Sequence, residues 1–337
     1  MKRLLPFAPL LLLAALLLSP DAVLSGAKRG LDIWWGRVFP ALLPSFVCVR
    51  LAQNLGLLRL ADNRPRGQLI LVAGFSLVSG APNGAKLLRA LAKDGSLSDR
   101  EAHRLMPLVN NVGPAFLFSI IASELLKNKA LAPPIALAFY GSILVLLIPH
   151  LVRRRHGAAP LRTDTAVSFS KALSSAIESG MLDILRIGGC ILFICALLSL
   201  VQPLVPDAAA NAALAGLMEV SIGTSQIAEL SLPLRLKMSL LVGTAAFGGL
   251  SLALQTLCCC PELKLMPYLA KKLLLGAMAG VVFYLLFPLF QVVSVTFASH
   301  QEVLSRSLSL SALLLSSLLS VGFMIVLSLM VSPRKGA

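Results

Sequence analysis

Two short runs set polar and conformationally permissive residues inside otherwise apolar stretches: Gly80-Ala81-Pro82-Asn83-Gly84-Ala85-Lys86, and Glu219 followed by Ser221, Thr224, Ser225 and Gln226. In the first run Gly80 and Gly84 release the backbone, Pro82 withholds a donor, and Asn83 offers both a donor and an acceptor. With Ser79 just ahead of them, they read as the tip of a hairpin. Free N–H groups at the start of the next helix, with Lys86 close by, create a positive field suited to a carboxylate or phosphate. A tight packing turn, with Lys86 stretching to the membrane interface, accounts for the same residues without a ligand. In the second run, a carboxylate such as Glu219 at membrane depth costs several kcal/mol unless it is paired, so it stands as a functional candidate. It can bind a coupling cation, carry a proton, or pair with Lys86 or Arg186; a polar clamp between helices is the plain alternative.

A second tier of residues accompanies these runs. Asn110, Asn111, Gly113 and Pro114 add amides and a helix kink, and Ser251 and Gln255 hold the matching place later in the chain. Polar residues also hold membrane helices together, so none of these is decisive alone. Arg50, and Asp183 with Arg186 one turn beyond it, are further charges in apolar surroundings, and the last two can satisfy one another. Enzyme signatures are missing: His103, His150, His156 and His300 form no HExxH, and there is no GxSxG, P-loop or dinucleotide fingerprint. The chain is therefore not expected to be an enzyme or to need a cofactor. Its six cysteines include no CxxC pair and no neighbouring His, so neither a metal site nor a disulfide frame is expected, and Cys258 to Cys260 read as small apolar filler rather than palmitoylation sites.

The elements that position these residues must be helices in lipid. Of 337 residues, 57% are hydrophobic and 13% charged, with a mean hydropathy of +0.85, well beyond what a soluble core requires. Lipid offers no partner to a bare N–H or C=O, and the apolar runs are too long and too uniform for barrel strands. The net charge of +15 is spread over short connections, as in membrane loops, and no soluble basic domain points to nucleic acid. Spans are expected at 7–24, 33–58, 105–126, 131–152, 181–205, 236–260, 266–290 and 308–331, about eight crossings of an all-α bundle. The first resembles a signal peptide in its basic start but is long enough to span. The stretches 69–88 and 208–228 are broken near their middles and read as re-entrant hairpins, since irregular backbone at membrane depth survives only when it is buried in protein or lines a wet cavity.

This reading divides the chain into an N-terminal helix (1–29), a first half (30–152), a polar linker (153–170), a second half (171–290) and a C-terminal helix with tail (291–337). The positive-inside rule would put the Arg153-Arg154-Arg155 cluster in the cytoplasm, while Lys2-Arg3 and Lys28-Arg29 on either side of the first span leave the orientation open. Each half runs span, interrupted segment, connector, and a further span containing NNVGPAFLFS (110–119) or FGGLSLALQ (247–255), which is a weak two-fold repeat. Interrupted segments at corresponding places in two halves point to a transporter's substrate site. The partners expected are a small organic anion and the lipid bilayer, with a homo-oligomer left open.

Taken in order, Gly30 to Trp35, Val38 to Phe46, GAPNGAK, NNVGPAF and the segment around Glu219 resemble the YlbJ-type sporulation integral membrane proteins, which carry the nucleoside-recognition or Gate domain. The resemblance spans roughly residues 25–290. It implies a permease-like core distantly similar to concentrative nucleoside transporters, a place in the outer forespore membrane, and transport of dipicolinic acid during sporulation. It also implies an aromatic residue before the hairpin proline, where this chain has Ala81.

Overall fold

The computed structural model describes residues 7–56, 65–153 and 168–304. The expected span at 308–331 and nearly all of the polar linker lie outside them. Among the described residues every regular element is helical and there is no strand.

The first helix, α1 (Ala8–Leu18), stops at Ser19, and α2 (Pro20–Ile33) leaves it at a bend of 99°. Pro20 has no N–H to give to the preceding turn, and it disfavours helical backbone at the residue before it. In place of one straight helix over 7–24 there are therefore two arms. The second continues through a π-helical turn, Trp34–Val38, into α3 (Phe39–Asn54), the wider turn falling just ahead of Pro40 and Pro44. Next come α4 (Pro65–Ser79), α5 (Asn83–Lys93) and α6 (Asp99–Val109), the last opened by a reciprocal Ser98–Glu101 capping box. A π-helix, Phe116–Leu125, and α7 (Ala132–Arg153) complete the first half. The second half contains α8 (Phe169–Val201), α9 (Ala208–Met218), α10 (Val220–Glu229), α11 (Leu234–Phe247), α12 (Gly249–Cys259) and α13 (Leu265–Leu304).

Among the described residues four segments are long and apolar enough to cross a membrane: Lys129–Val152, Phe169–Leu204, Leu234–Cys259 and Leu265–Leu289. The bent N-terminal pair makes a fifth if it counts as one span. The expected crossing at 105–126 is split at 110–113, where the chain leaves helical geometry. Polarity runs from inside to outside in the sense that lipid demands: Val145, Leu274 and Leu285 are each 64% exposed on these helices, whereas Asp183, Glu219 and Lys272 are at most 2% exposed. Leaving such apolar side chains in water would forfeit about 1.5–3 kcal/mol each.

Small residues let the long helices approach closely. Gly26 and Gly30 of α2 lie against Ser199 and Cys195 of α8, and the Trp34 ring fits over Gly188 while its Nε1 donates to the Ile184 carbonyl at 2.9 Å. Between α11 and α13, a Cβ added to Gly276 would come 2.7 Å from the Gly243 carbonyl oxygen and 3.0 Å from the Phe247 Cβ. This backbone-to-backbone approach is how lipid-embedded helices gain packing energy without a hydrophobic driving force. Gly276→Val is expected to cost roughly 1–3 kcal/mol and to lower the thermal unfolding midpoint in detergent. Gly141→Ala, whose new Cβ meets no atom within 4 Å, should leave that midpoint where it is.

Candidate functional site

The first interrupted segment docks on a second interruption. Helix α4 ends at Ser79, whose Oγ donates to the Phe75 carbonyl at 2.7 Å, Gly80 turns the chain at φ +75°, and α5 begins at Asn83. The facing chain is 110–113, where Gly113 precedes Pro114 and helix cannot continue. The Ala81 N–H donates to the Asn111 carbonyl at 2.7 Å. A Cβ on Gly80 would stand 2.9 Å from the Gly113 nitrogen, and one on Gly84 would collide with the Val109 carbonyl. Glycine at 80 therefore meets two demands, a left-handed φ and a contact too close for a side chain.

The second interrupted segment does the same. Helix α9 ends at Met218, Glu219 is extended at φ −145° and ψ 123°, and α10 follows, its first turn capped by the Glu219 carboxylate, which accepts from the Ile222 N–H at 2.8 Å. Opposite lies the break between α11 and α12, with Gly248 and Gly249 at φ +83° and +76°. A Cβ on Gly249 would stand 3.1 Å from the Met218 carbonyl oxygen and 3.2 Å from the Glu219 nitrogen. The two arms of this hairpin touch at Gly216 and Gly223. Thr224 is spent on the Val220 carbonyl at 2.8 Å, Ser221 is buried and Ser225 half-buried.

Helix α12 joins the two docked pairs. Gly249 stands at one end of it, and Thr256 lies roughly 10 Å of helical rise further on. There the Asn110 Nδ2 donates to the Thr256 Oγ1 at 2.6 Å and lies 3.3 Å from the Tyr268 hydroxyl. Lys272 of α13 closes the group: its Nζ donates to the Asn111 Oδ1 at 2.7 Å and to the Asn110 carbonyl at 3.3 Å. Gln255 donates to Ser251 at 3.3 Å along the same helix. Two buried polar atoms at the first pair, the Asn83 Nδ2 and the Asn110 Oδ1, have no hydrogen-bond partner among the described residues.

The expected residues thus fall into two neighbourhoods: Ser79, Gly80, Asn83, Gly84, Asn110 and Asn111 at the first pair, and Glu219, Ser221, Thr224 and Ser225 at the second. Lys86 is the exception. It points away from the tip amides and forms an ion pair with Asp183 of α8, over the Phe46 ring at 5.8 Å. The same carboxylate takes Arg50 at 3.0 Å and Arg186 at 3.5 Å. The expected pairing of Glu219 with Lys86 or Arg186 is therefore not formed, because Asp183 reaches both cations first. Lys272 and Tyr268 escaped the reading of the sequence, since a Lys-Lys pair near the start of an apolar span looks like an interfacial anchor. The available signal was their four-residue spacing, which places Tyr268 and Lys272 on one helical face.

The chain is 28% identical, over an alignment of 333 residues, to the sporulation integral membrane protein YlbJ of Bacillus subtilis (strain 168), covering 83% of this chain and 82% of that protein. The chain is YlbJ-like and integral to the membrane. No family model matches it, and no solved structure matches it.

Asp183 is 2% exposed and answers three cations, so Asp183→Asn is expected to cost roughly 3–5 kcal/mol, the scale for removing one partner of a buried pair. Arg186 is 57% exposed, and Arg186→Gln should cost under about 1 kcal/mol. Unfolding midpoints of the two variants in the same detergent compare these costs. Equal losses would show that Asp183 does not carry the cluster.

Proposed function

We propose that this protein is a non-enzymatic permease for a small organic anion, with dipicolinate as the leading solute, and that it serves sporulation as its YlbJ relative's name says of that protein. The observation that carries the reading is the double docking: each interrupted apolar segment meets a second interruption inside the bundle, and one helix, α12, touches both. In a membrane this is where unwound main chain and helix termini can grip a solute. The correspondence of order and chemistry between 30–152 and 171–290 supports a two-fold repeat, in which alternating access comes from movement of one half against the other. The arms also cross between halves. α5 meets the end of α12 through Arg89, which donates to the Cys259 carbonyl at 2.6 Å, and α10 shares an apolar cluster with the π-helix of the first half.

One observation favours a neutral polar solute such as a nucleoside. Lys86 is neutralised by Asp183, and the unpartnered amide atoms of Asn83 and Asn110 provide a donor and an acceptor without charge. Purified protein in liposomes separates the readings. The anion permease predicts saturable uptake of labelled dipicolinate at least about tenfold above protein-free vesicles, with uridine left outside. Uridine uptake in its place would shift the substrate class. Uptake of neither solute would reduce the chain to a membrane scaffold.

A further inference from the structure

Lys272 sits in a span, is 1% exposed, and is met by amide and carbonyl oxygens alone. Among the described residues no carboxylate pairs with it, in contrast to Lys86. A lysine held at membrane depth by neutral acceptors has part of its hydration replaced but gains no opposite charge, so its ammonium form is expensive unless an anion completes it.

Lys272 itself lines no cleft, but its helical neighbours Tyr268 and Lys271 do. A cleft of about 540 Å³ lies at the end of the bundle where α6 and α13 begin. Arg100, Arg104, Lys264 and Lys271 line it against a single acid, Asp99. Tyr268 also lines it, yet is only 2% exposed, and its hydroxyl lies within hydrogen-bonding reach of Asn110 and Thr256. Tyr268 therefore belongs both to the wall of the cleft and to the buried polar group. One turn further along the same face stands Lys272. The cations of the cleft attract small anions, and Lys272 lies one helical turn beyond the Tyr268 that forms part of its wall. The unpartnered Asn83 amide, on the tip that docks against Asn111, is a further buried donor close to this group.

We propose that Lys272 is the anion-binding group of the permease and that solute carboxylates reach it from the basic cleft past Tyr268. The inference rests on the permease reading for its biological meaning and names the site of that reading: a carboxylate salt-bridges the Lys272 ammonium, which keeps its hydrogen bond to Asn111. No covalent step is involved.

Two measurements on the full chain in zwitterionic-lipid nanodiscs test it. The first is equilibrium binding of labelled dipicolinate to wild type, Lys272→Met and Lys272→Arg. Loss of at least about tenfold in affinity for Lys272→Met, with most of it kept by Lys272→Arg, is expected. Binding by Lys272→Met equal to wild type overturns the assignment while leaving the permease reading standing. The second needs no substrate: Lys272→Cys and Tyr268→Cys are treated with an anionic and a cationic methanethiosulfonate of similar size, and the labelled peptide is quantified by mass. The anionic reagent should react about tenfold faster or more, and Arg100→Gln with Arg104→Gln should erase that preference. Equal rates, or no reaction at either position, overturn the path. A wild type that binds no dipicolinate but shows the anionic preference would dismiss that solute and retain the anion site; Tyr268→Cys keeps the test available if Lys272→Cys fails to fold.

Discussion

A main chain that leaves helical geometry inside a bilayer must find its hydrogen-bond partners in protein, and most of this fold follows from that demand. The chain leaves helix at 80–82, 110–113, 219 and 248 among the buried parts of its bundle, and these four interruptions are consumed in pairs. Gly80 and Gly113 permit one contact, Gly249 the other. The Ala81 N–H and the Asn111 carbonyl settle each other across the first, and Glu219 caps the helix that starts at the second. Helix α12 then has little freedom: its first residue belongs to one pair and its Thr256 to the other.

Charge is distributed around this frame with unequal compensation. Asp183 gathers Lys86, Arg50 and Arg186 from hairpin, α3 and α8, which ties three elements together at one carboxylate. Such a cluster holds its buried members, Asp183 and Lys86, together, because releasing either exposes it to surroundings that cannot hydrate it, while the exposed Arg186 adds little. Lys272 is the opposite case, a buried lysine that meets amide and carbonyl oxygens and no carboxylate among the described residues. The same low dielectric that makes the Asp183 cluster rigid makes the Lys272 environment receptive to an anion. The sporulation membrane protein to which the chain is similar does not decide between these two lysines; the side-chain geometry does.

The spans at 131–152, 236–260 and 266–290 were legible within a few residues, because twenty apolar residues in a row have no other stable conformation in lipid, whereas the one read over 181–205 starts well before that, at Phe169. The broken character of 69–88 and 208–228 was legible for the same reason in reverse, since Gly, Pro and Asn interrupt the first pattern and Gly and Glu219 the second. Less visible was the bend at Ser19, where Pro20 ends one helix while apolar residues continue on both sides. The split at 110–113 was read only as a kink within a span. Lys86 was assigned to the tip because it is adjacent to it in sequence. Its four-carbon stem carries the charge across to α8 instead.

Composition and local pattern by themselves determined that this chain is helical, lies in a membrane, and carries two interrupted segments, because backbone hydrogen bonding and side-chain transfer into lipid are decided within a few turns of chain. Which interruption docks on which, and which lysine has no carboxylate partner among the described residues, were decided only by the tertiary structure. Asp183 is remote in sequence from Lys86, as Lys272 is from Asn111, and an ion pair or hydrogen bond reaching about 3 Å forms only after packing has brought its ends together.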